Sequence, residues 1–325
     1  SQTPYTFNFE AGRTTYLDTP VIPVAAFAGN PDRQVDVEPP SGTPMLASVL
    51  GPLGGPIVCD DDDTITITSL GDTEVHNPVY DPAVPGSTIL ITRDYGFGTT
   101  PGQVTVGDVL LNVTLWSNDT IVATVDTDTV STGRLVVTRG DNGRSTPLGV
   151  KLHVNDCGSV AVVTGGSTYP NTPIQDAIDA AAPGTLILVG PGIYRENPIV
   201  YKNVRLQGAG AGGTIINGSP VPFERVTDWH AKINGLIASG DLIPVDAEET
   251  ERFFEATETP GIFIQGMPET FDETSPGLVD GFTIMGGISG GGLYIAAYAD
   301  YLEVCLLYTS PSPRDRTRSR MPSSA

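Results

Sequence analysis

Lysine is almost missing from this chain: Lys151, Lys202 and Lys232 are all that 325 residues contain. Seventeen basic residues face 38 acidic ones, a formal net charge of −21. A surface this acidic repels phosphate backbones and excludes a nucleic-acid binder; it suits high salt or divalent cations. No run of about 18 apolar residues exists, so no segment reads as a membrane span. No signal peptide is visible, and Ser1 is not read as a natural start. Cysteine is scarce too. Three are present, with no CxxC and no Cys/His cluster, which excludes a zinc site. Cys59 and Cys157 either form one disulfide, as suits an extracellular protein, or stay unpaired as small core residues.

What is abundant are turn formers and β formers. Gly (38) and Pro (28) lack the triplet period of collagen. With many Thr, Val and Ile between them, the chain reads as all-β.

Residues 1–28 hold two short apolar runs, including the alternating Tyr5-Thr-Phe-Asn-Phe9, and read as the end of a preceding β domain. Residues 29–76, rich in Pro, Gly and Asp, read as a linker or small β module containing one clean strand, TITIT at 64–68. Residues 77–154 carry several short strands spaced by turns, the pattern of a sandwich. The strings ILITRDYGFG (89–98), GQVTVGD (102–108), WSNDTIVATV (116–125), GRLVVTRGDNGRS (133–145) and LHV (152–154) together resemble the IPT/TIG family of immunoglobulin-like domains. That resemblance implies a spacer or binding module of bacterial surface and secreted proteins, and no catalytic residues.

From residue 155 the texture changes. Ile174, Ala177, Ile178 and Ala181 fall on one helical face, and Pro183-Gly184 stops the helix. Short strands with Gly-rich corners follow at close intervals, the mark of a coil with stacked rungs. TPIQDAIDAAAPGTLILVGPGIYRENPIVYKNVRLQGAGAGGTIING (172–218) resembles the start of right-handed parallel β-helix proteins of the pectin-lyase-like superfamily. The resemblance implies a fold and is silent on activity. A helical insertion is expected at about 220–258, with Phe223, Val226, Trp229, Ile233, Leu236 and Ile237 at helical spacing before an acidic stretch. The coil resumes at Gly261 and runs to Val304, so residues 155–304 read as a truncated β-helix.

Residues 305–325 read differently. CLLYTSPSPRD (305–315) and SRMPSSA (319–325) resemble an in-frame translation of a transposase-type sequencing adapter, so this tail is read as non-native and the natural sequence as stopping near Val304. The tail holds four Arg and one Asp; without it 13 basic residues face 37 acidic ones, a net of −24.

Few residues suggest chemistry. A lyase needs a cation, usually calcium, and a base; a hydrolase needs two carboxylates across the scissile bond. The rungs offer Arg195, Glu196, Arg205, Asp280, Asp300 and Glu303, and no acidic pair recurs at rung spacing; Asp280, before Gly281, reads as a turn residue. Asp60, Asp61, Asp62 and Asp63 are the calcium candidates, but they lack the Asp-x-Asp-x-Asp-Gly spacing, so a solvated turn is expected. Asp126 and Asp128 offer less. His76, His153 and His230 are far apart, none beside a nucleophile motif. Trp229 reads as core. Tyr294, Tyr298 and Tyr301 are glycan-stacking candidates, Tyr294 with packing between rungs as its alternative. Gly208 to Gly213 reads as a corner and not a nucleotide loop.

The resulting expectation is a stretch of a modular secreted or cell-surface bacterial protein. In it an immunoglobulin-like spacer presents a β-helix for glycan or partner binding, without catalysis here. The alternative is a polysaccharide lyase or glycoside hydrolase whose catalytic rungs lie beyond Val304.

Overall fold

The structure, a computed structural model, describes residues 36, 38–81, 83–243, 258–287 and 291–310, with side chains as far as 305. Residues 1–28, the acidic stretch 246–257 and the tail beyond 310 lie outside the described residues. Those described are mostly strand, with two helices. The chain divides into two compact units, Ser1–Glu38 with Glu74–Thr92, and Pro39–Thr73 with Arg93–Ala325. In the first, residues 77–89 form a turn-rich loop. Asn77 Nδ2 donates to Thr88 O (2.8 Å), and Asn77 Oδ1 accepts from the Val79 N–H (3.1 Å).

The second unit begins with an antiparallel half. Its strands are β1 (Leu46–Leu50), β2 (Ile57–Val58), β3 (Asp63–Ser69) and, after β4 (Asp72–His76) and β5 (Leu90–Asp94), of which residues 74–76 and 90–92 belong to the first unit, β6 (Gln103–Val106). They continue with β7 (Val109–Leu110), β8 (Asn112–Trp116), β9 (Thr120–Val125), β10 (Gly133–Thr138) and β11 (Val150–Val154). The orders β1-β3-β9-β8 and β2-β11-β10-β6-β7 make two sheets, and β4-β5 is a two-stranded ribbon. Alternation decides what each strand buries. In TITIT, Ile65 and Ile67 are fully buried while the threonines face outward. These isoleucines meet Ile121, Ala123 and Val125 of their own sheet, and Val104, Leu135, Val137 and Leu152 of the other, in one core.

Strand pairing runs across position 76/77. Within the segment expected to be a linker or small β module, β3 pairs with β9 along its length (Ile65↔Ala123, Ile67↔Ile121) and β1 pairs with β3. Gly and Pro report only where the chain turns, whereas β3's partner lies more than fifty residues downstream.

The remaining elements are β12 (Val160–Val163), α1 (Pro173–Ala180), β13 (Thr185–Val189), β14 (Gly192–Tyr194), β15 (Ile199–Val200), β16 (Val204–Gly208) and β17 (Thr214–Asn217). After them come α2 (Phe223–Ser239), β18 (Ile262–Ile264), β19 (Gly277–Met285), β20 (Leu293–Ile295) and β21 (Leu302–Ser310). Every pairing in this half is parallel between named strands: β12-β13-β16-β19-β21, β14-β17-β19 and β15-β18-β20. Successive tiers stack like on like, so Ile187, Leu206 and Val279 follow one another into a core. Helix α1 lays Ile174 and Ile178, both fully buried, on that core.

Helix α2 answers the expected insertion. Val226, Trp229 and Leu236 are buried against Ile199 and Phe263, and Gly240, in the left-handed region (φ +82°), ends the helix. Trp229 meets Phe263 edge-on (5.8 Å), as a core residue does. Strand β21 pairs with β19 through Ser310, across the boundary expected at Val304. The open side of a parallel sheet accepts backbone from any extended chain, whatever its side chains.

Candidate functional site

Thr185–Val189 is buried at every position, so both faces of that strand are covered. The inner face is the core just described; the outer face meets the antiparallel half. Two outward columns run across the tiers, Leu186–Arg205–Leu278–Glu303 and Leu188–Gln207–Asp280–Cys305. Their character changes along the columns from apolar to charged.

At the first tier the contact is apolar, with Leu186 and Leu188 packed on Ile57 of β2. A disulfide between Cys59 and Cys157, Cα atoms 6.0 Å apart, stands beside it and resolves the alternative left open by the sequence. At the second tier Arg205 is bidentate on Asp156, Nη2 to Oδ1 at 3.1 Å and Nη1 to Oδ2. Asp156 Oδ2 also contacts His153 Nδ1 (3.2 Å), and His153 Nε2 contacts Gln207 Oε1 (3.1 Å). Gln207 Nε2 donates onward to Asp280 Oδ2 (2.8 Å).

At the third tier Asp280 is fully buried. Its Oδ1 accepts from Arg134 Nη1 (3.1 Å), and its Oδ2 also accepts from the Lys151 backbone N–H (3.0 Å). It is therefore not the turn residue expected from its place before Gly281. A buried carboxylate needs this many donors, since leaving it unpaired costs several kcal/mol. At the fourth tier Glu303 takes Arg134 Nη2 (3.3 Å) on one oxygen and Lys151 Nζ on the other.

These side chains wall a cleft of about 310 Å³ between the halves, lined by Lys151, His153, Asp156, Arg205, Ser275 and Glu303 among others. Burial alone would raise the Asp156 carboxyl, but the Arg205 fork and His153 hold it below its usual range. Burial likewise opposes Lys151 and Arg134 at Glu303, and the two cations prevail, so Glu303 is held low. Burial pushes His153 down, against Gln207 and Asp156. Asp280 and its neighbours keep Arg134 charged in spite of its burial.

Of the rung residues singled out from the sequence, Arg205, Asp280 and Glu303 come together here. Glu196 lies beneath α1, bonded to the Ile174 and Gln175 N–H groups, while Arg195 and Asp300 are exposed. His153 reaches the cleft; His230 Nε2 contacts Glu258 O, and His76 lies in β4. Asp63 Oδ2 accepts the Cys59 and Asp60 N–H groups and Asp61 Oδ1 that of Thr127, while Asp60 and Asp62 are exposed, so the Asp60–Asp63 run serves as a turn. Asp126 Oδ1 accepts from the Asp128 N–H, also within a turn. Among the described residues no group of three or more His, Cys, Asp or Glu is placed to hold a metal ion. Tyr294 stacks on Phe263 (6.0 Å, 10°) and is partly buried; Tyr298 and Tyr301 stay exposed. Arg134, Lys151, Asp156 and Gln207 were not singled out from the sequence. The signal was the apolar run 186–189, which requires something to lie over the outer face.

No family model and no curated protein matches this chain. Among solved structures, the gamma-CGTase of alkalophilic Bacillus clarkii is 20% identical with a TM-score of 0.24. The match covers 39% of this chain and 15% of that one.

Proposed function

We propose that the antiparallel half is an immunoglobulin-like β-sandwich of the IPT/TIG type, and the parallel half the opening turns of a right-handed parallel β-helix with a capping helix and a helical insertion. Together they act in a secreted or surface-attached bacterial protein as a rigid, non-catalytic module that presents a binding surface to a glycan or a protein partner. One observation carries this reading: the groups that converge between the halves form a joint. Asp280 is sealed from solvent and met by Arg134, Lys151 N–H and Gln207, and a disulfide stands at the other end. A glycosidase needs one carboxyl kept protonated near neutrality, whereas on the cleft Asp156 is held low by Arg205 and Glu303 by Lys151 and Arg134. The disulfide fits an oxidising, extracellular setting.

The surface offered to a sugar is aromatic. Tyr298 (48% exposed) and Tyr301 (57% exposed) stand between β20 and β21, whereas Tyr294 is taken up by Phe263. A glycan array read alongside an assay for new reducing ends and unsaturated products tests the proposal. Retention without product is expected, and Tyr298→Ala with Tyr301→Ala should weaken retention about tenfold or more, at about 0.5–1.5 kcal/mol per stacked ring. Product formation from any retained polysaccharide overturns the non-catalytic reading.

A further inference from the structure

We propose that Glu196 is a proton-sensitive catch that fastens the N-terminus of α1 over the first tier, with Arg225 of α2 as the nearby opposing charge. Glu196 follows β14 and is 1% exposed. Its Oε1 accepts from the Ile174 N–H (3.2 Å) and from Ser167 Oγ (3.3 Å), and its Oε2 from the Gln175 N–H (3.0 Å). The side chain of the helix's own N-cap residue, Thr172, makes no capping hydrogen bond. The first N–H groups of α1, which need acceptors, thus find them on a residue 22 positions downstream. What the catch holds down is the apolar face of Ile174 and Ile178.

The opposing charge comes from the other helix. Arg225 is 4% exposed and donates Nη2 to Asn217 O (3.2 Å), while its Nε and Nη1 have no hydrogen-bond partner among the described residues. A guanidinium does not shed its proton, so its charge persists in a setting where Coulomb forces are weakly screened, and Glu196 acts on it. The remaining titratable and charged neighbours are Asp176 on α1 and Tyr194 and Arg195 on Glu196's own turn.

Burial raises the Glu196 carboxyl to about 7, against the pull of its three donors. With α1 lifted, the carboxyl is solvated and returns to the ordinary glutamate value of about 4.3. Below that value both states are protonated, and opening does not depend on pH. From there to about 7 only the open state loses its proton, so the opening constant climbs about tenfold per pH unit. Above about 7 both are ionised and it levels off. The catch is shut in acid and loosens toward neutrality.

Hydrogen exchange at the amides of 174–180, corrected for the chemical exchange rate, tests this between pH 4.5 and 8.5. The opening constant should rise roughly fortyfold between pH 5 and 7 and then level off. In Glu196→Gln, which keeps an acceptor oxygen and cannot titrate, it should be flat, with β13 and β16 still protected. Arg225→Met should move the upper bend above pH 7. The same rise in Glu196→Gln would assign the dependence to another group and overturn the proposal, as would a flat wild-type profile. Should Glu196→Gln fail to fold, the side-chain carboxyl ¹³C shift in the wild-type protein decides: a midpoint at the ordinary glutamate value sinks the catch.

Discussion

Each of the three lysines stands at a junction. Lys151 ties β11 to Glu303, Lys202 Nζ donates to the last carbonyls of α1 (Asp179 O 2.8 Å, Ala181 O 3.1 Å), and Lys232 of α2 bonds Asp179 of α1 (2.6 Å). In so acidic a chain a flexible cation is kept where a specific acceptor awaits it. Asp280 is the counterpart among the acids. Asp280→Ala strands part of Arg134 and the Lys151 N–H and should cost about 3–5 kcal/mol in urea unfolding; Asp280→Asn, which keeps the shape, should cost less. His153 sets a pH dependence of opposite sign to that of Glu196. Its folded pKa is depressed by burial, so the unfolded chain binds the proton more readily, and the contribution is lost as pH falls below about 6.5. Asp156 and Glu303, also depressed, keep theirs until lower pH, below the ordinary carboxylate range. Denaturation midpoints of the wild-type protein and His153→Gln, followed from pH 8 to 5, should converge as pH falls; curves that stay parallel would clear His153 of any role.

Among elements, those built from local signals were legible and those built from distant pairing were not. Helix α1 announced itself by Ile174 and Ile178 at i and i+4, and α2 by the Val226–Trp229–Leu236 stripe. The inclusion of β1 and β3 in the antiparallel half was hidden, because a strand's pairing partner leaves no mark in its own residues. The glycine run 208–213 was legible as a corner but not as a contact. Strand β1 lies against it, Val49 N–H donating to Ala209 O (2.7 Å). A β-carbon on Gly212 would sit 2.3 Å from Leu70 Cδ2 and 2.8 Å from Ala47 Cα. Gly212→Ala should therefore destabilise by about 1–3 kcal/mol through overpacking, read as a lower melting temperature; an unchanged one would mean that β1 does not approach the corner this closely.

At the scale of the second unit, the joint grades from a covalent and apolar end to a charged one. The Cys59–Cys157 bond spans 98 positions in sequence. A cross-link over a loop of that length stabilises by roughly 4–5 kcal/mol in the chain-entropy account. Reduction, or Cys59→Ala with Cys157→Ala, should lower the unfolding free energy by up to that amount. It should also raise exchange first at Ile57 and Leu188, where the apolar contact sits. An unshifted denaturation midpoint on reduction would show that the joint stands without the bond.

The sequence by itself determined the β character, the two textures on either side of residue 155 and the two described helices. These follow from composition and period, which neighbouring residues reveal among themselves. Tertiary structure alone decided that Cys59 and Cys157 pair, that Asp280 is an anchor, and that Arg134, Lys151, His153 and Asp156 meet Arg205 and Glu303 across a cleft. Which outward face of one sheet lies against which edge of another depends on how whole surfaces fit. The residues that meet there are up to 169 positions apart in the chain.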